Sequence, residues 1–192
     1  MDVMYRFRTT IFFVLLFCAV TAFAVPTFEG QYSIGSLIPG LSSLQALREG
    51  HSRKSAPRHL NVRPPDAIGN LTITSGAAGT PLFYIHRSRL WRYVNETSIH
   101  AVNVVNGTED APGTNQIPLQ MMLDEQPDGI NGGVWKWQGT MLIYQLGSKN
   151  NSGVYYDCML PKGGRGLLTF LQGVPTPRGC SLLTLHGFEH DV

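Results

Sequence analysis

Residues 186–190 spell His-Gly-Phe-Glu-His, an H-x-x-E-H pattern. In a metalloprotease that pattern sits on a helix, which turns both imidazoles toward one zinc ion and sets the glutamate against the metal-bound water. Here His186 ends an apolar alternating run, a glycine follows it, and His190 stands two residues from the end of the sequence. The chemistry lacks the helix that would organise it, so no metal and no cofactor are expected.

Three other groups of residues raise chemical questions. Cys158 beside Asp157 has the type of a nucleophile, but a reactive thiolate needs an adjacent base and no oxidising partner. Residues 161–166, Pro-Lys-Gly-Gly-Arg-Gly, share the composition of a phosphate loop. They lead into an apolar run of strand type, not into a helix start whose amides would face phosphates. Asp124, Glu125 and Asp128, with Glu96 and Asp157 elsewhere, are carboxylates of the kind a glycosidase holds across a cleft. Beside Pro127 and Gly129 they read more simply as turn-formers. No catalytic residue is assigned.

Aromatic residues offer binding chemistry instead. Trp135 and Trp137 share one face if 134–137 is a strand. With Trp91 and Tyr93 they form a candidate stacking platform for sugar rings. The plainer reading of such large side chains is a hydrophobic core.

The elements that must position these groups are short strands. Runs at 71–74, 82–86, 90–94, 99–105, 119–123, 134–137, 140–146, 154–160, 167–171 and 181–186 are rich in β-branched and aromatic residues, with glycine, asparagine and serine turns between them. No long helical period occurs, which argues against a parallel α/β fold. The expected fold is all-β, a single β-trefoil-like or β-barrel/sandwich domain over residues 67–192. Three loosely similar aromatic units, beginning near Leu82, Trp135 and Val154, favour a trefoil without establishing one.

Residues 25–66 read differently, with arginines at 48, 53, 58 and 63 and prolines at 57, 64 and 65. They are expected to form a flexible basic leader or pro-segment. Leu41, Leu44 and Leu47 would give it one short helix, and Arg53-Lys54 a processing site.

The start of the sequence sets the compartment. Arg6 and Arg8 precede the apolar run 11–23, and Ala22-Phe-Ala24 supplies the small residues of a cleavage site, so residues 1–24 read as a secretory signal peptide. Removing them leaves thirteen basic and twelve acidic residues, a balance that gives no broad nucleic-acid surface. No second run is long enough to span a membrane. Of the three cysteines, Cys18 leaves with the signal, and Cys158 and Cys180 are expected to pair in an oxidising compartment. Asn70, Asn95, Asn106 and Asn150 each head an N-x-S/T sequon and are the expected glycosylation sites.

Asp157-Cys158, the run 167–171, Pro177-Arg-Gly-Cys180 and the run 182–185 together resemble the end of small secreted fungal proteins of unknown function. That resemblance covers mainly residues 150–186 and implies an extracellular β-rich domain, with no catalytic residues to carry over. The expected function is therefore that of a secreted, N-glycosylated, non-enzymatic binding protein at the cell surface, with carbohydrate or cell-wall components as partners. The alternative is a secreted hydrolase working through the loop carboxylates or the His186/His190 pair.

Overall fold

The structure is a computed structural model that describes residues 40–48, 56–62, 68–76, 79–107, 109–161 and 163–189. The signal peptide, the Arg53-Lys54 site and His190 lie outside the described residues. Among the described residues, thirteen strands build the fold. They are β1 (Ser42–Leu47), β2 (Arg58–Val62), β3 (Gly69–Ser75), β4 (Leu82–His86), β5 (Arg89–Asn95), β6 (Ser98–Asn106) and β7 (Leu119–Asp124). The rest are β8 (Gly133–Gln138), β9 (Met141–Leu146), β10 (Lys149–Asn150), β11 (Val154–Met159), β12 (Arg165–Thr169) and β13 (Cys180–Glu189).

The sheet closes. Following the antiparallel pairings, β1 lies beside β13, then come β11, β12, β7, β6, β5 and β4, and β4 returns to β1. This is an eight-stranded closed barrel with extra strands, the barrel alternative among the expected all-β folds. Closure removes the unpaired edges that an open sheet would present.

The extra strands attach where ring strands change partner. β2 pairs with β3 and touches β1 through Gln45 and His59, while β3 reaches β7 through Gly69 and Asn70. β8 pairs with β9, which meets β13 at His186, and Trp135 N donates to Ser88 O in the turn between β4 and β5.

Two expectations about residues 25–66 are corrected. Residues 42–47 form a strand, not a helix: Leu44 and Ala46 alternate into the core while Leu47 points outward. The pattern of leucines three apart gave way because β13 offers this segment six register partners, from Ser42–Glu189 to Leu47–Thr184. β2 likewise puts Leu60 and Val62 into the same core. The barrel therefore begins before residue 67, inside the stretch read as a leader.

Alternation within β11 divides two cores. Tyr155 packs in the barrel core with Leu167, Leu183 and Leu185, whereas Tyr156 and Cys158 face a second cluster with Leu168, Phe170 and Ala111. That second cluster lies on the opposite face of the barrel wall, with Val174 packed against it. Asn151 fixes the turn before β11. Its Oδ1 accepts from Tyr144 N at 3.0 Å and Gly153 N at 3.1 Å, and its Nδ2 donates to Thr169 Oγ1 at 3.0 Å.

Candidate functional site

Asp157 is the unusual residue of β11. It follows Tyr155 by two positions and so points to the same side as the barrel core, with a side chain 0% exposed. Isolated carboxylates are not tolerated there, and two arginines pair with it while a third stands near. Arg165, at the start of β12, donates from Nε to Oδ1 at 3.0 Å and from Nη2 to Oδ2 at 2.7 Å. Arg58, at the start of β2, brings Nη2 to Oδ2 at 3.5 Å. Arg48, immediately after β1, completes the group.

The backbone explains why these residues meet. β1 and β11 finish where β2 and β12 begin, so the four side chains come from four strand ends at one end of the barrel. The hydrogen bonds that Arg165 donates to Asp157 hold its guanidinium more firmly protonated than usual, against a smaller opposing effect of burial. Arg48 is shifted the other way, first by desolvation, then by repulsion from Arg58, with Asp157 pulling back and Arg165 adding repulsion. Arginine nevertheless stays charged in proteins. Three cations thus surround one anion, and Arg48 has no hydrogen-bond or ion-pair partner among the described residues.

The other candidates occupy different places. Trp135 and Trp137 are 4% and 3% exposed and belong to the barrel core. The Trp135 ring lies 4.9 Å from that of Tyr144. The expected four-residue platform is therefore corrected, because burying two indoles stabilises the interior more than an exposed face would. Trp91 and Tyr93 alternate with buried Leu90 and Arg92, so they lie half-buried on the other face of β5. Trp91 Nε1 donates to His86 O at 3.3 Å.

His186 sits within β13, and no helix carries the H-x-x-E-H pattern. Its Nδ1 lies 3.0 Å from Thr140 Oγ1 and its Nε2 3.0 Å from Thr184 Oγ1, so both nitrogens are engaged by hydroxyls. No group of three metal-binding side chains forms among the described residues. Asp124 ends β7, and Glu125 and Asp128 belong to the turn that follows. Asn103 organises that turn by donating to Gln126 O and accepting from Asp128 N, each at 2.9 Å. These acids and Asp157 lie on separate parts of the fold, so the hydrolase alternative gains no carboxylate pair from them.

Cys158 and Cys180 stand opposite each other in the β11–β13 pairing and are joined by a disulfide with Cα atoms 4.2 Å apart. Beside it lies a cavity of ≈ 60 Å³ lined by Ala111, Pro118, Leu160 and Leu168. It is far below the several hundred Å³ that small-molecule sites occupy. Leu160 N accepts no phosphate-loop role either: it donates to Gly164 O at 3.0 Å, closing the glycine-rich stretch as a turn between β11 and β12.

The sequon asparagines lie on strand ends and turns. Asn95, Asn106 and Asn150 are exposed, and Asn70 is half-buried with its Oδ1 accepting from Gln120 Nε2 at 2.7 Å. Asn95 Oδ1 accepts from Thr97 N and Oγ1, each at 2.9 Å, and Asn150 Oδ1 from Ser152 N at 2.8 Å. These contacts form Asx turns through the Oδ1 atoms.

No helix among the described residues is long and apolar enough to cross a membrane. Sequence reasoning overlooked the arginine group: Arg165 read as part of a glycine-rich loop, Arg48 and Arg58 as leader. The one available signal was an aspartate at an inward position of an otherwise apolar strand, since buried acids are rare without a cationic partner. No protein-family model, curated protein or solved structure matches the chain.

Proposed function

We propose that this chain is a secreted, N-glycosylated barrel that acts by binding at the cell surface, not by catalysis. The observation that carries the reading is the excess positive charge where Arg48, Arg58 and Arg165 surround the single carboxylate of Asp157. A rigid scaffold that presents one sign of charge over a low-dielectric interior attracts ligands of the opposite sign. The signal-like start, the four sequons, the disulfide and the resemblance to small secreted fungal proteins all favour an extracellular setting. Carbohydrate of the cell wall is the partner class, engaged through charge instead of through Trp135 and Trp137.

The test is expression of the full chain with its own N-terminus, followed by intact-mass analysis and retention on insoluble wall polysaccharide. The secreted product should begin near Val25, lose mass on enzymatic deglycosylation, and leave the polysaccharide as salt rises. Indifference to wall material at low salt would sink the reading.

A further inference from the structure

We infer that the arginine-rimmed barrel end is an oxyanion-binding site, taking a carboxylate, phosphate or sulfate group carried by the ligand, with Arg48 as its principal free donor. This rests on the binding reading above and names its site and ligand chemistry. The geometry divides the three guanidiniums by task. Asp157 occupies the Nε–Nη2 edge of Arg165 and leaves Nη1 without a hydrogen bond among the described residues. Arg58 reaches Asp157 through Nη2 alone, at a long 3.5 Å. Arg48 makes no hydrogen bond or ion pair among the described residues.

Asp157 is a poor candidate for the ligand's own contact. It is wholly buried and already bonded, so its role is to hold two guanidiniums in place against their mutual repulsion. Arg165 and Arg58 remain reachable, with side chains 40% and 18% exposed. Among the described residues, a single internal anion stands against three cations and leaves two positive charges uncompensated. Planar guanidinium forks match the paired oxygens of a carboxylate or phosphate, which a lysine ammonium does not. An incoming oxyanion would bridge Arg48 to the unused edges of its neighbours and replace water there, with no bond made or broken covalently.

The position also suits a polymer. The arginines stand at or beside strand ends, and Arg165 and Arg58 keep part of their side chains in solvent. A uronic-acid sugar or a phosphorylated one can therefore present its charged group while the rest of the chain stays outside.

Arg48 makes the test clean because it supports nothing else in the described structure. Thermal melts of the full secreted chain are recorded in glucuronate, inorganic phosphate and sulfate, each against chloride at matched ionic strength. Titration calorimetry follows for any oxyanion that shifts the midpoint. The expected result is a saturable rise with at least one probe. Arg48→Ala should weaken that probe about tenfold, the size of one lost charge-assisted contact, without lowering the midpoint in chloride. Arg178→Ala, at an exposed arginine in another loop, should bind as the parent does. A preference for glucuronate identifies an acidic sugar, and a preference for phosphate or sulfate identifies an ester. Equal shifts in chloride, or equal binding by the parent and Arg48→Ala, overturn the site. Oxyanion binding without wall retention would keep the site and reject the wall as its source. Retention unaffected by Arg48→Ala would do the reverse.

Discussion

Arg165 grips the buried carboxylate of Asp157 through two nitrogens, at 3.0 and 2.7 Å, across the β11–β12 pairing. The contact joins two strands of the ring and fixes one wall of the proposed site. Removing the cation would strand a charge in the interior, a change that costs about 3–5 kcal/mol where both partners are buried. Because Arg165 is partly solvated and Arg58 remains, Arg165→Ala should cost about 2 kcal/mol after allowance for screening. Urea unfolding checks this, and Asp157→Asn on the Arg165→Ala background should recover part of the loss. A double variant as unstable as the sum of its singles would show that the two residues are not coupled.

Asn151 is the polar counterpart of that pairing. Asn151→Ala would leave the Tyr144 and Gly153 amides without their acceptor in a buried turn, at about 1–3 kcal/mol each. A loss of about 3 kcal/mol in urea is expected. Because the middle position of a sequon tolerates any residue but proline, occupancy of Asn150 should be unchanged by mass.

Acidification should weaken the fold through the buried His59 and the half-buried His186. Burial lowers the affinity of His59 and His186 for a proton. His59 is 5% exposed and neither ring nitrogen has a partner among the described residues. The unfolded chain then binds more protons than the folded one once pH falls below the ordinary histidine value of about 6.5. Stability is full above that value and declines as pH drops through the lower folded values. Urea midpoints should fall between pH 7 and pH 5, and His59→Leu should flatten the profile. An unaltered slope in that variant would remove His59 from the account.

The disulfide spans 22 positions and ties the last two long strands of the ring beside Asp157. Replacing both cysteines by alanine should cost about 3 kcal/mol in the chain-entropy account. Alkylation of the native protein before reduction should label neither residue, and full labelling would contradict the pairing.

Trp137→Ala should destabilise by about 3–5 kcal/mol, the usual range for emptying an indole from a core. Loss of sugar binding with an unchanged melting temperature would instead restore the platform reading for that residue.

Much of the fold was legible because its signal is local. The strands from Leu82 to Glu189 are short runs of apolar, aromatic and β-branched residues between recognisable turns, as at Asn131-Gly132-Gly133. β1 and β2 were not legible for the opposite reason. Leu44 and Ala46 become a strand only beside residues of β13, and β2 carries arginine, histidine and asparagine between prolines. The arginine group is harder still. Arg48, Arg58 and the Asp157–Arg165 pair come from separate stretches of chain, and nothing in their spacing announces that a barrel end will assemble them.

Ser43 Oγ donates to Phe188 O across 145 positions of chain, within the pairing of β1 and β13 that closes the ring. The barrel is therefore a hoop whose first stave must wait for its last. While the chain is being made, β1 has only its weaker partners β2 and β4, and its long side stays open until β13 emerges from the ribosome. Contacts of such separation slow folding, because the loop between them must be ordered before they form. The nascent protein thus carries a strand with one long edge open until β13 is made, a template for pairing with other chains during that interval.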